Sequence, residues 1–160
     1  MKSSDSKKTK AMAKIKPKLK KNVKEEKSVK PSVSAKDKFL AHLKKEKIGK
    51  DIIAAFESVD QRIFFDSIFK NKFYGEECIS IGYGMKSDNF LSLARMINYL
   101  NPKKDERIYE IGTGSGYSSA ILSLLCREVV TVEINEKLAL AAKTRLYDNN
   151  FGNIRFFAGD

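Results

Sequence analysis

A run of alternating glycines is the feature of this sequence with the clearest chemical meaning. It reads Glu-Ile-Gly-Thr-Gly-Ser-Gly-Tyr over residues 110–117, which places glycines at Gly112, Gly114 and Gly116. Glycine lets a backbone pass close beneath a ligand, and the amides that open a following helix can donate hydrogen bonds to that ligand. The spacing differs from the G-x-G-x-x-G of dinucleotide-binding folds. We therefore expect a ligand-binding bend at residues 112–116.

Three carboxylates accompany this bend. Glu110 precedes it directly, Glu133 lies 21 residues after Gly112, and Asp160 follows Gly159. An acid at the position of Glu133 can accept hydrogen bonds from both hydroxyls of a ribose. A lone glycine bend also suits a tight connection without a ligand, but the three acids favour a binding crevice.

The elements that must position these residues alternate along the last third of the chain. Strands are predicted at Arg107–Ile111, Glu128–Glu133 and 153–157, with helices at 117–126 and Glu136–Asp148. Such alternation indicates an α/β fold with a parallel sheet and right-handed crossovers. Because the carboxyl ends of parallel strands share one edge of the sheet, we expect the three acids to line one crevice there.

The segment ahead of the sheet has a different pattern. Apolar residues at helical spacing predict a helix that Asp37 caps, a break at residues 48–49, and a second helix from Asp51 to about Val59. Residues 63–69 form a dense apolar cluster, and residues 79–84 contain glycines that suit an irregular loop. A further helix is predicted over residues 88–100.

Together these motifs resemble the cofactor half of class I S-adenosylmethionine-dependent methyltransferases. The resemblance implies a Rossmann-like sheet and S-adenosyl-L-methionine as the cofactor. It places Glu110 near the methionine amino group of the cofactor, Glu133 at the ribose and Asp160 at the adenine, with the three glycines of the bend beneath the cofactor.

The sequence also resembles one particular family within this class. Ile-Gly-Tyr-Gly at 81–84, Leu-Ala-Arg-Met at 93–96 and the glycine bend stand in the order found in protein-L-isoaspartate O-methyltransferases, and the similarity extends over roughly residues 38–160. The implied reaction is methyl transfer to the carboxylate of isoaspartyl residues in damaged proteins or peptides, which is a repair reaction. No metal is implied.

The acceptor side departs from the family. Where the resemblance places an active-site serine, this sequence has Asp88, with Ser87 beside it. We expect both residues at the acceptor site. Ser87 can replace the family's serine hydroxyl only if the loop shifts by one residue. A carboxylate there repels a carboxylate substrate unless a cation such as Lys86 compensates.

The length is a second departure, since class I methyltransferase sheets have seven strands and this sequence stops after the third. We therefore expect an incomplete sheet, the front half of the fold, with Arg107–Ile111 on an open edge. Either the chain is a truncated fragment or another subunit completes it, and truncation is favoured. The expected divisions are a tail at 1–36, a helical region with the acceptor loop at 37–104, and a partial cofactor domain at 105–160.

Charge separates the tail from the body. The chain has 160 residues with 31 basic and 20 acidic side chains, but residues 1–38 carry 14 Lys and 4 acids, and the rest is nearly neutral. We expect a disordered Lys-rich tail with at most weak, nonspecific anionic contacts. The sequence has no apolar stretch long enough for a membrane span and no secretory signal, and its two cysteines suit a reducing cytoplasm.

Two rival functions remain open. One is a methyltransferase for RNA or another protein substrate, to which the lysine tail would contribute electrostatic attraction. The other is a truncated, non-catalytic methyltransferase remnant, which the substitution at Asp88 and the missing strands favour. Binding of S-adenosyl-L-methionine by the folded chain discriminates the remnant from either enzyme.

Overall fold

A computed structural model describes residues 34–159 of the chain. The lysine-rich segment before Ser34 and the last residue, Asp160, lie outside the described residues, and with them the predictions of a disordered tail and of an adenine-binding acid. All structural statements below concern the described range.

Two short helices open the described part. Helix α1 spans Ala35–Lys45, and its N-cap is Ser34, whose hydroxyl accepts from the Asp37 amide at 3.1 Å while the Asp37 carboxylate accepts from the Ser34 amide at 3.3 Å. This reciprocal capping box corrects the prediction that Asp37 itself caps the helix. Helix α2 spans Lys50–Ser58 and begins after the predicted break at residues 48–49.

An aromatic cluster joins the front of the chain to the sheet region. The apolar run at 63–69 forms helix α3 (Gln61–Phe64) and a 3-10 helix (Ser67–Lys72). The ring of Tyr117, at the start of a later helix, meets Phe56, Phe64 and Phe90 in edge-to-face contacts with centroids 5.5–6.2 Å apart. These contacts fix the front helices against the region that follows the glycine bend.

The glycine-containing stretch at 79–84 differs from the expected irregular loop. It forms a hairpin of strands β1 (Ser80–Gly82) and β2 (Met85–Lys86). The two turn residues, Tyr83 and Gly84, have φ of 53° and 76°, as a type I′ turn requires. Helix α4 (Phe90–Leu100) follows, capped by the side chain of Asn89, two residues later than predicted.

A three-stranded parallel sheet forms the rest, which confirms the predicted α/β architecture. Its elements are β3 (Arg107–Ile111), α5 (Tyr117–Ser123), β4 (Glu128–Glu133), α6 (Glu136–Asp148) and β5 (Ile154–Ala158), in the strand order β3-β4-β5. Helix α5 ends three residues earlier than predicted, and β5 is shifted by one. Ile111 pairs with Val132, and Glu133 pairs with Ala158, so the three carboxyl ends share one edge.

The two faces of this sheet differ in covering. Alternate residues of β4, such as Val129 and Thr131, are buried on the face that α5 and α6 cover. On the other face Tyr109, Ile111 and Phe157 are exposed. Within residues 34–159 no strand pairs with the outer edge of β3, so the predicted open edge is confirmed for the described part.

Other sequence features have simple structural outcomes. Cys126 is buried, as expected of a small core residue, and Cys78 is exposed. From Ser34 to Gly159, no helix has both the length and the apolar composition needed to cross a bilayer. Over the same residues, no group of three or more His, Cys, Asp or Glu side chains is arranged to hold a metal ion.

Candidate functional site

The three glycines of the bend after β3 all have positive φ, but each meets different surroundings. A Cβ on Gly116 would lie 2.9 Å from Leu146 Cδ1, so this glycine permits α5 to pack on α6. A Cβ on Gly114 would lie 3.2 Å from Ile81 Cδ1 in the hairpin. A Cβ on Gly112 (φ 88°) would enter open space. Gly112 is therefore the glycine whose missing side chain leaves room above the bend.

Backbone amides of the bend are bonded to the neighbouring strand. The amides of Gly112 and Thr113 donate to the Val132 carbonyl at 2.7 and 3.2 Å. The Gly114 amide donates to Glu133 Oε2 at 2.8 Å. All three amides are bonded within the fold, because the parallel register places the end of β4 directly beside the bend. The expected ligand-binding amides are those that open the following helix, and for them the expectation stays a prediction.

Glu133 lies at the end of β4, as predicted, and is only 3% exposed. Its Oε2 accepts from Gly114, and its Oε1 accepts from the Asn135 amide at 3.0 Å. The carboxylate thus ties the glycine bend to the connection between β4 and α6. Hydrogen bonds from a ribose to Glu133 stay a prediction. They would have to use the remaining lone pairs of its two carboxylate oxygens.

Glu110, on β3, is held by hydroxyl groups. Its Oε2 accepts from Thr131 Oγ1 at 2.7 Å and from the Ser119 hydroxyl. Burial raises the pKa of Glu110 above its ordinary value, hydrogen bonds from Ser118, Ser119 and Thr131 oppose this rise, and the negative charge of Asp88 adds to it. The carboxylate is therefore positioned by donors and is sensitive to charge in the cleft nearby.

One cleft brings the bend and the acceptor loop together. The cleft encloses about 410 Å³, counting space open to solvent. The glycine bend with Ser118 lines this cleft, and so does Ile81 with residues 86–88. Apolar side chains complete the lining: Phe65, Phe90, Leu93 and Tyr117.

The two predicted acceptor residues both line this cleft, but they differ in their bonding. Ser87 Oγ accepts from the Ile79 amide at 2.9 Å and donates to the Asp88 carbonyl at 3.0 Å, so its proton is used within the loop. The loop therefore holds Ser87 as a structural brace. The side chain of Asp88 is exposed and lines the cleft beside Lys86.

Sequence reasoning missed the hydroxyl residues behind the bend. Thr113 and Thr131 are buried, with their Oγ1 atoms 2.7 Å apart, and Ser119 is buried at Glu110. Strand alternation carried a signal, since Thr131 shares the inward face of β4 with Val129. A threonine on such a face needs a hydrogen-bond partner.

Asp160 lies outside the described residues, but the chain approaches the same edge of the sheet. Strand β5 ends at Ala158, and the Gly159 amide donates to the Glu133 carbonyl at 3.0 Å. The described geometry thus brings Glu110, the glycine bend, Glu133 and the loop at 86–88 into one region at the carboxyl ends of the strands.

Sequence comparison identifies relatives of this chain. The family profile for Protein-L-isoaspartate(D-aspartate) O-methyltransferase (PCMT) matches residues 34–160. Protein-L-isoaspartate O-methyltransferase 1 of Nitrosospira multiformis is 36% identical over 112 residues, which make up 70% of this chain and 48% of that protein. The chain spans about half the length of this protein and of two other curated relatives that it matches.

Structural comparison agrees with the sequence comparison. A solved protein-L-isoaspartate O-methyltransferase is similar with a TM-score of 0.70 and 25% identity, over 78% of this chain and 42% of that chain. A Plasmodium falciparum structure described as a protein-L-isoaspartate O-methyltransferase, in complex with S-adenosyl-L-homocysteine, has a TM-score of 0.60 over 75% of this chain and 61% of that chain. Its 19% identity shows a common fold alone. Since the family profile extends from the cap of α1 through the end of β5, the chain belongs to the protein-L-isoaspartate O-methyltransferase family.

Proposed function

We propose that this chain binds S-adenosyl-L-methionine and takes part in methyl transfer to the side-chain carboxylate of isoaspartyl residues in proteins or peptides. The observation that carries the proposal is the single cleft between the glycine bend and residues 86–88. Residues predicted for the cofactor and residues predicted for the acceptor both line it, which supports a transfer between two bound substrates. Membership of the family supports the choice of cofactor and of acceptor.

Gly112 in the cleft and two carboxylates next to the glycine bend fit this cofactor. The missing side chain of Gly112 leaves open space where a ligand can approach the backbone. The carboxylate of Glu110 supplies negative charge for a cationic ligand, and Glu133 fixes the bend. The related Plasmodium falciparum structure contains S-adenosyl-L-homocysteine. We assign Glu110, the bend and Glu133 to holding the cofactor, together with Asp160, which lies outside the described residues.

When bound, S-adenosyl-L-methionine supplies an electrophilic methyl group. An acceptor carboxylate with an ordinary pKa of about 4 is ionised at neutral pH, so the chain need not supply a strong base. The carboxylate loses its charge as the ester forms, and a cleft that excludes water favours this loss. The aromatic lining of Phe65, Phe90 and Tyr117 provides such an environment.

We also propose a division of labour along the chain. Residues 37–104 provide the acceptor wall through the hairpin and the loop at 86–88, with Lys86 as a cation for the acceptor and Asp88 as a neighbouring acid. Residues 105–160 provide the cofactor wall. Residues 1–36 lie almost entirely outside the described range, and we keep for them the sequence-based role of weak anionic contacts.

Calorimetry and a methyl-transfer assay test this function. We expect saturable binding of S-adenosyl-L-methionine to the 160-residue chain, and transfer of labelled methyl groups to an isoaspartyl peptide but not to the aspartyl peptide of the same sequence. A folded chain that binds no cofactor contradicts the proposal and favours the remnant. Binding with equal transfer to both peptides contradicts the acceptor assignment.

Gly112→Ala probes the cofactor wall directly. The new Cβ enters the open space above the bend, so we expect binding to weaken by at least about tenfold, since strain and lost contacts together amount to more than about 1.4 kcal/mol. Gly84→Ala is the matched control, because Gly84 has a similar φ of 76° and open space but does not line the cleft. Equal weakening by both variants would contradict the role of Gly112.

A further inference from the structure

A chain of buried hydroxyl groups runs behind the glycine bend. Thr131, in the middle of β4, is 0% exposed, and its Oγ1 lies 2.7 Å from Thr113 Oγ1 on one side and 2.7 Å from Glu110 Oε2 on the other. The Ser119 hydroxyl, buried at the start of α5, reaches the same Glu110 oxygen. Three elements and the bend therefore meet at one carboxylate.

The direction of these hydrogen bonds follows from the chemistry of the groups. An ionised carboxylate accepts only, so Thr131 must give its single proton to Glu110. Thr131 is then the acceptor for Thr113, although either threonine alone could donate. The order Thr113 to Thr131 to Glu110 is thus fixed whenever Glu110 carries its charge, and protonation of Glu110 removes the reason for that order.

Thr113 connects this chain to the cofactor wall. It lies between Gly112 and Gly114, lines the cleft, and also donates its amide to the Val132 carbonyl. A hydrogen bond to a charged group contributes more to stability than one between neutral groups. The charge on Glu110 and the shape of the bend are therefore linked through one hydroxyl.

We propose that Thr131 is a positioning residue that couples the ionised carboxylate of Glu110 to the conformation of the glycine bend, so that both are set together for a cationic cofactor. This inference rests on the proposed function. We assign Thr131 no contact with substrate or cofactor. It acts through its hydrogen bonds to Glu110 and Thr113. A valine would fill the same space on β4, so the hydroxyl group is the part that matters.

Because Thr131 donates to the carboxylate of Glu110, it also affects how cofactor binding depends on pH. Binding of a cation to Glu110 is present above the pKa of this carboxyl group and is lost as the pH falls through it. Thr131 is one of three hydroxyl donors that lower this pKa against burial, and Asp88, which lines the cleft, is the charged group that raises it. Loss of the Thr131 hydroxyl therefore moves the acid limb of cofactor binding to higher pH, and Asp88→Asn moves it to lower pH.

The experiment measures the dissociation constant of S-adenosyl-L-methionine from neutral pH down to the lowest pH at which the chain stays folded, so that the acid limb of binding is covered. Thr131→Val is expected to weaken binding about tenfold, as loss of one hydrogen bond to a charged group predicts, and to shift the acid limb upward. Thr131→Ser keeps the hydroxyl and should restore both values. Thr144→Val, which removes an exposed hydroxyl on α6, is the matched control and should change neither.

The outcomes separate this inference from the proposed function. Wild-type chain without binding overturns the proposed function itself. Wild-type binding with an unshifted acid limb in a folded Thr131→Val variant overturns the coupling, even where affinity falls, because a packing defect weakens binding equally at every pH. If Thr131→Val does not fold, the opposite shift expected of Asp88→Asn and the rescue by Thr131→Ser decide the question. If neither Thr131→Val nor Asp88→Asn shifts the acid limb of cofactor binding, the proposed coupling is wrong as well.

Discussion

At the scale of single residues, Asp88 gives the cleft a charge that a carboxylate acceptor must overcome. It lines the cleft together with Lys86, and its negative charge raises the pKa of Glu110. The hydroxyl of Ser87 is bonded within the loop, and its use in place of the serine that the family resemblance places at position 88 stays a prediction. The acceptor wall therefore combines one cation and one anion.

Asp88→Ser is expected to raise kcat/KM for an isoaspartyl peptide. Two like charges about 5 Å apart in water repel by roughly 1 kcal/mol, which corresponds to about a fivefold change. The gain should shrink at high salt, because exposed charges are screened. Asp105→Ser removes the same charge outside the cleft and should leave kcat/KM unchanged. A lower kcat/KM in Asp88→Ser would show that the acid assists the reaction.

At the scale of elements, packing of α5 against α6 depends on the last glycine of the bend. A Cβ on Gly116 would meet Leu146, which is fully buried. In addition, Gly116 has a φ of 88°, a backbone conformation that is strained for other residues. Gly116→Ala is expected to lower the free energy of unfolding by about 1–3 kcal/mol, measured by urea denaturation. Gly152→Ala, with open space and no positive φ, should lie within about 0.5 kcal/mol of wild type. Equal stability of the two variants would contradict the packing role.

The elements also show what the sequence could and could not predict. Strands β3 and β4 and helix α6 were predicted with the bounds observed, because alternation and helical periodicity are local properties. The hairpin was missed because its turn places Tyr83, a residue with no preference for positive φ, in the left-handed region. The bonding of Glu133 to Gly114 was missed because it depends on the register between two strands, which no local pattern encodes.

At the scale of the whole molecule, the buried carboxylate of the candidate site lowers the stability of the fold. Burial raises the pKa of Glu110, so keeping this carboxyl group ionised at neutral pH costs free energy of folding. Hydroxyl groups from β4 and α5 recover part of that cost. The arrangement is typical of a functional carboxylate, which is held charged for a ligand at the expense of the folded state.

Glu110→Gln tests this relation between site and fold. Glutamine has the same shape and no charge, and its amide oxygen can accept from Thr131 and Ser119. Because the folded pKa of Glu110 lies above its unfolded value, the wild-type chain loses stability as the pH rises through the folded pKa, and the variant does not. At pH 7 we expect a melting temperature higher by about 3 °C.

The same variant should differ little from wild type below about pH 4, where the glutamate is protonated in both folded and unfolded chains. Cofactor affinity should fall at pH 7, because the cation loses its carboxylate partner. Thermal melts at both pH values, together with calorimetry, measure the two effects. A variant that melts lower than wild type at pH 7 would contradict the prediction, since it would mean that the hydroxyl donors more than offset the cost of burying the ionised carboxylate.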